Sequence, residues 1–97
     1  MDIDDWRIEI DEIDEKLVEL LNRRSMCAIE VGRLKRELGL PVYVPSREKE
    51  VLQHVHECNQ GPLDSEALRS LFERIIDESR RVERVAVENE AKGDPQP

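Results

Sequence analysis

The stretch LLNRRSMCAIEVGRLK, residues 20–35, puts two cations where a packed helix would carry apolar side chains. Apolar residues recur at Trp6, Ile10, Ile13, Leu17, Leu20, Cys27, Val31, Leu34 and Leu38. The steps alternate four and three, one face of a helix, and Arg24 fills the single missing beat. At 100° per residue, Lys35 lies about 20° from Arg24 around the axis and roughly 16 Å along it. Between them fall Ala28 and, at the edge of the line, Gly32, both small. Two cations on one inward line, with space between them, describe a pocket for a compact dianion. The competing explanations are an interhelical ion pair, or an arginine whose stem packs while its head reaches water. Burying both cations with no counter-charge would cost several kcal/mol each, so the line predicts a partner anion.

Further chemistry-bearing residues occupy inward positions elsewhere. Arg47 and Glu48 open a second helical stretch, with Glu48 on the side of Leu52 and Val55. Phe72, Ile76, Ser79 and Glu83 follow at i, i+4, i+7 and i+11, so Ser79 and Glu83 look inward from an apolar face. Their structural alternatives are a serine bonded back to its own helix and a glutamate paired with Arg80 or Arg84. His54, His56 and Cys58 resemble a metal cluster only in the one-letter code. On a helix, positions i and i+2 point about 200° apart, so His56 faces away from the other two and no metal site is expected.

Three helices must position these groups. The first spans roughly residues 4–38 and stops at Gly39 and Pro41. An irregular loop, GLPVYVP, leads to a second helix beginning near Pro45–Ser46, where proline suits the first turn. Asn59, Gly61 and Pro62 end it. Asp64 or Ser65 caps a third helix with apolar beats at Leu68, Leu71, Phe72, Ile75, Ile76, Val82 and Ala86. Residues 1–90 thus form one helical domain, and residues 91–97 are expected to be a disordered tail.

At 1.5 Å per residue the first helix is about 50 Å long. A compact domain of this length has a radius of gyration of only ~13 Å. The helix overshoots any globule its own chain could build, yet its stripe stays apolar almost throughout. A second copy is the simplest cover, which predicts an interlocked homodimer.

Composition narrows the partners. A formal net charge of −8 repels a nucleic-acid backbone or an anionic membrane surface, so neither is expected. The start MDIDDW has neither a basic nor an apolar leader segment, and no apolar run reaches the ~20 residues of a membrane span. Cys27 and Cys58 lie in helical patterns and read as reduced thiols, which points to a cytoplasmic location.

The pieces WRIEIDEIDEKLVELLNRR, IEVGRLK, PVYVPSREKEVL and LFERIIDESRRVE, in this order and spacing, resemble the all-helical (AroQ-class) chorismate mutases over roughly residues 5–88. The resemblance implies an all-α fold, three helices per chain in an intertwined homodimer with shared active sites. It also implies conversion of chorismate, a dicarboxylate enol ether, to prephenate on the route to phenylalanine and tyrosine, with no cofactor. By the same resemblance, Arg24 and Arg7 hold the substrate carboxylates, Arg7 reaching in from the other subunit. Lys35 holds a carboxylate and the ether oxygen, Arg47 shapes the pocket, and Glu48 accepts from the ring hydroxyl. Ser79 contacts a carboxylate region, and Glu83 sits at the ether oxygen opposite Lys35.

Two departures stand out. Many relatives carry Asp where this chain has Val44, which removes an acceptor near the ring hydroxyl, and many carry Gln at the position of Glu83. An ionised carboxylate at the ether oxygen would repel the developing oxyanion, so Glu83 must hold a proton to donate. A pyruvate lyase acting on isochorismate shares the scaffold, and a non-catalytic helical dimer is the alternative from another class. A regulatory dimer, however, gives no reason for a cation at position 24 with another beneath it.

Overall fold

The computed structural model describes residues 1–91, and its secondary structure is three helices in sequence. The first, α1, runs Ile3–Leu38; α2 runs Pro45–Cys58; α3 runs Ser65–Ala91. Each boundary has a local cause. Asp2 caps α1 by accepting from the Asp5 amide at 2.9 Å, while the Asp5 carboxylate accepts from the Asp2 amide at 3.1 Å, a reciprocal box. Gly39 closes α1 in the left-handed region, φ +67°, which only glycine adopts freely. That turn lets the Leu40 amide donate to the Lys35 carbonyl at 2.8 Å and the Gly39 amide to Arg36 at 3.3 Å. Pro45 sits in the first turn of α2, where its missing N–H has no partner to lose. Asp64 accepts from the Ala67 amide at 2.7 Å and starts α3.

The third helix packs against both others. Arg24 meets Ser79, Gly32 meets Glu83, and Arg36 meets Glu90, so α1 and α3 run parallel over these residues. Glu48 meets Arg80 while His56 meets Ser65, so α2 runs antiparallel to α3. The apolar beats of α3 end at Ala86, but the helix continues to Ala91. The cause is ionic: Glu90 accepts from Arg33 Nε at 2.6 Å and pairs also with Arg36, tying the last turns of α3 to α1. The tail expected from residue 91 otherwise lies outside the described residues.

The chain measures 54 × 37 × 15 Å, with a radius of gyration of 17.2 Å. Fifteen ångströms is little more than one helix diameter of roughly 10–12 Å, so the protomer is a single layer of helices. Ile76 is its one buried apolar side chain among the described residues. Along the projecting half of α1, Trp6, Ile10, Ile13, Leu17 and Leu20 remain 50–55% exposed. No helix is long and apolar enough to cross a membrane, among the described residues.

Candidate active site

The face of α1 that carries Arg24 and Lys35 meets α3 along the line Ile76, Ser79 and Glu83, and the loop after α1 folds back over the same place. A cavity of about 280 Å³ results, near the lower end of the roughly 300–1,000 Å³ typical of small-ligand pockets. Arg24, Lys35, Arg47, Glu48, Ser79 and Glu83 all line it, so six of the seven residues singled out above converge from three helices.

Each side chain is held in a particular way. Arg24 is half-buried and donates from Nη1 to Ser79 Oγ at 2.7 Å. Ser79 is buried, and its hydroxyl crosses to α1 instead of bonding back along α3. Ser25 shows the other behaviour, donating to the Leu21 carbonyl of its own helix at 2.9 Å. Lys35 stretches from its helix to donate from Nζ to the Val42 carbonyl at 3.1 Å, latching the loop and leaving two ammonium protons for other acceptors. Neither Arg24 nor Lys35 takes part in an ion pair among the described residues. Arg47 leans toward Glu50 at 3.6 Å, an exposed contact that leaves the guanidinium free to turn.

Glu83 has neither of the arginine partners considered for it. Arg80 pairs with Glu48 on α2 and stacks over the Tyr43 ring, its guanidinium carbon 4.6 Å from the ring centre. Glu83 Oε1 is left buried and without a hydrogen-bond partner. Gly32 explains how the carboxyl fits: a Cβ built there would come within 2.5 Å of both Cγ and Oε1 of Glu83. A buried acceptor with no donor costs about 1–3 kcal/mol, so the atom is open to a donor from beyond the described residues.

Arg7 is the residue the protomer does not bring to the cavity. It is exposed and rests 3.9 Å from Asp4. Seventeen residues of helix separate it from Arg24, about 25 Å at 1.5 Å per residue, far beyond the reach of one side chain. The sequence pattern in turn missed Arg80, Tyr43 and Val42. The signal for Arg80 was present: it stands four residues after Ile76, on the same side of α3.

A larger hollow, about 620 Å³, opens where α2 meets α3, lined by Lys49, Leu52, His56, Ser65 and Arg69 among others. It contains none of the inward cations of α1 and no buried polar atom without a partner. His56 turns to Ser65 at 3.0 Å while Cys58 Sγ lies 3.7 Å from His54 Nε2, so His56 faces away from the other two as helix geometry requires.

The sequence pattern of the family described as chorismate mutase type II matches residues 6–84, and the chain belongs to that family. A bifunctional chorismate mutase/prephenate dehydratase of Pseudomonas aeruginosa is 47% identical over 75 residues, covering 72% of this chain. This chain spans only 20% of that protein's length. A crystal form of chorismate mutase from Thermus thermophilus superposes with a TM-score of 0.82 at 39% identity, covering 84% of this chain and 93% of that one. The Helicobacter pylori chorismate mutase in complex with prephenate gives a TM-score of 0.81 at 29% identity, covering 89% and 93%.

Proposed function

We propose that this chain is itself a chorismate mutase, rearranging chorismate to prephenate in a pocket completed by a second copy. The observation that carries it is the pair Arg24 and Lys35, two cations on one cavity wall without a carboxylate partner among the described residues, facing Glu83, which has no hydrogen-bond partner among them either. A dicarboxylate enol ether answers all three groups at once.

The chemistry is unimolecular. In a [3,3] rearrangement the ether C–O bond breaks as a C–C bond forms, and no nucleophile or redox change is needed. The enolpyruvyl arm must fold over the ring, and partial negative charge must be accommodated on the ether oxygen. Arg24, oriented by Ser79, fixes one carboxylate; Arg7 of the second copy fixes the other; together they hold the folded conformer. Lys35, already held at the loop by Val42, donates to the ether oxygen from one side. A protonated Glu83 donates from the other, stabilising charge only as it develops. Arg47 shapes the rim, and Glu48 accepts from the ring hydroxyl. The molecule supports this division: the donors aimed at the reacting atom come from α1 and α3, and the ring-side acceptor comes from α2.

The second copy has its own physical support. Trp6, Ile10, Ile13, Leu17 and Leu20 are each about half exposed, and completing their burial contributes roughly 1 kcal/mol apiece. A 15 Å slab with one buried apolar residue lacks the interior to hold itself together, so α1 of a partner supplies the missing layer and carries Arg7 with it.

The test is incubation of the purified chain with chorismate, following loss of its ultraviolet absorbance, with product analysis on chorismate and on isochorismate. Prephenate from chorismate is expected. Pyruvate release from isochorismate with no prephenate would assign the lyase reaction instead, and no turnover of either would leave a binding module.

A further inference from the structure

We propose that Arg80 is a positioning residue that aims Glu48 at the substrate ring, so that Arg80 and Glu48 together read the ring hydroxyl. The inference rests on the mutase reading of the pocket and adds to it a residue and a specificity element outside the assigned set.

Glu48 stands in the first turn of α2 and lines the cavity. A glutamate side chain has three rotatable bonds, and free in a pocket it would sample several orientations. Here Arg80 reaches across from α3 and pairs with its Oε2. The Arg80 guanidinium is fixed in turn by lying 4.6 Å over the Tyr43 ring, a cation–π contact with the loop between α1 and α2. Asp77 stands 3.8 Å from its other nitrogen, one turn earlier on α3. Arg80 is thus held by loop and helix, and Glu48 is held by Arg80.

The arrangement has a purpose at this position. Val44, at the N-cap of α2, lines the same wall and offers no side-chain oxygen. Glu48 is therefore the one acidic side chain that α2 or its leading loop brings to the cavity. One oxygen pairs with Arg80, while the carboxylate retains lone pairs to accept a hydroxyl proton. The ion pair also offsets the charge of Glu48 against the substrate carboxylates. A single pre-aimed acceptor does the work that two loosely held ones would share.

The experiment compares Arg80→Met, Arg80→Lys, Glu48→Gln and the double variant with wild type, using chorismate and its analogue lacking the ring hydroxyl. Helix content and subunit stoichiometry are checked on each. Misaiming one polar contact lowers kcat/KM for chorismate in Arg80→Met roughly tenfold, chiefly through KM. The same variant handles the deoxy analogue within about twofold of wild type, since nothing remains for Glu48 to hold. Arg80→Lys recovers part of the loss, because it keeps the charge and not the planar fork. In the double variant the losses do not multiply, as expected of residues acting as a unit. Equal losses on both substrates, or losses that multiply, overturn the role of Arg80 and leave the mutase assignment standing. A wild type inert toward chorismate overturns that assignment and the inference with it.

Discussion

Replacing Gly32 by alanine isolates the contact that places Glu83. The added Cβ would lie 2.5 Å from Glu83 Cγ, 2.5 Å from Oε1 and 2.8 Å from Cδ, where carbon atoms settle near 3.5–4.0 Å. The glutamate must therefore retreat by about 1 Å from Cγ outward, which means a new rotamer rather than a small tilt. Two terms then oppose each other in stability. Removing glycine from a helix interior favours the fold by roughly 0.5–1 kcal/mol, and overpacking costs about 1–3 kcal/mol. The balance is a loss of at most ~2.5 kcal/mol, which a helical fold survives. Catalysis is more sensitive. Displacing a positioned donor by about 1 Å costs on the order of 100-fold, so kcat falls by about two decades while KM, set by the arginines, stays within a few-fold. The assay is steady-state kinetics with chorismate on Gly32→Ala, Glu83→Ala and the double variant. Once Glu83 is cut back, the three atoms nearest the added Cβ are gone and the double variant matches Glu83→Ala. Full kcat in a folded Gly32→Ala would refute the placement of Glu83 against the reacting oxygen.

Four other outcomes follow from the same structure. Arg24→Ala removes a charge-assisted carboxylate contact and strands buried Ser79, lowering kcat/KM by roughly 10- to 150-fold for a 1.5–3 kcal/mol loss, with dimer mass unchanged. Glu83→Gln, whose amide can donate from the same place, keeps most of its turnover in steady-state kinetics while Glu83→Ala loses about two decades in kcat; equal losses in both contradict a donor at position 83. The Glu90 carboxyl is held below the ordinary carboxylate range, first by its hydrogen bond from Arg36 and then by that from Arg33. Its contribution is thus present above the unfolded-state value and is lost as pH falls through the depressed folded one. Amide exchange at the C-terminal turns of α3 should accelerate over that acid window in wild type and show no such step in Glu90→Gln. Leu17→Glu places a charge on the apolar half of α1 and should yield dissociated, poorly structured chains by light scattering and circular dichroism.

The helices and the core of the site were legible because periodicity reports which face a side chain shares. Arg24 interrupting an apolar beat, Lys35 eleven residues on, and Ser79 and Glu83 in line with Ile76 all follow from 100° per residue. Periodicity is silent on partners. Arg80 can swing toward α2 or along α3, and only the packing of the two helices decides that it takes Glu48 and leaves Glu83 alone. The loop contributions of Val42 and Tyr43 were hidden for another reason: GLPVYVP has no period, and its carbonyl directions depend on backbone angles that residue types do not encode. Gly32 could be recognised as small, but its pairing with one particular carboxyl required the parallel run of α1 and α3.

The 15 Å thickness of the protomer bears on how the molecule comes into being. A ribbon of helices with no inside has little to gain by ordering alone, so the proposed pairing with a second copy would make collapse of the chain and recognition of its twin a single bimolecular event. Melting temperature should then climb with protein concentration, and specific activity should fade on extreme dilution as the hollow itself ceases to exist.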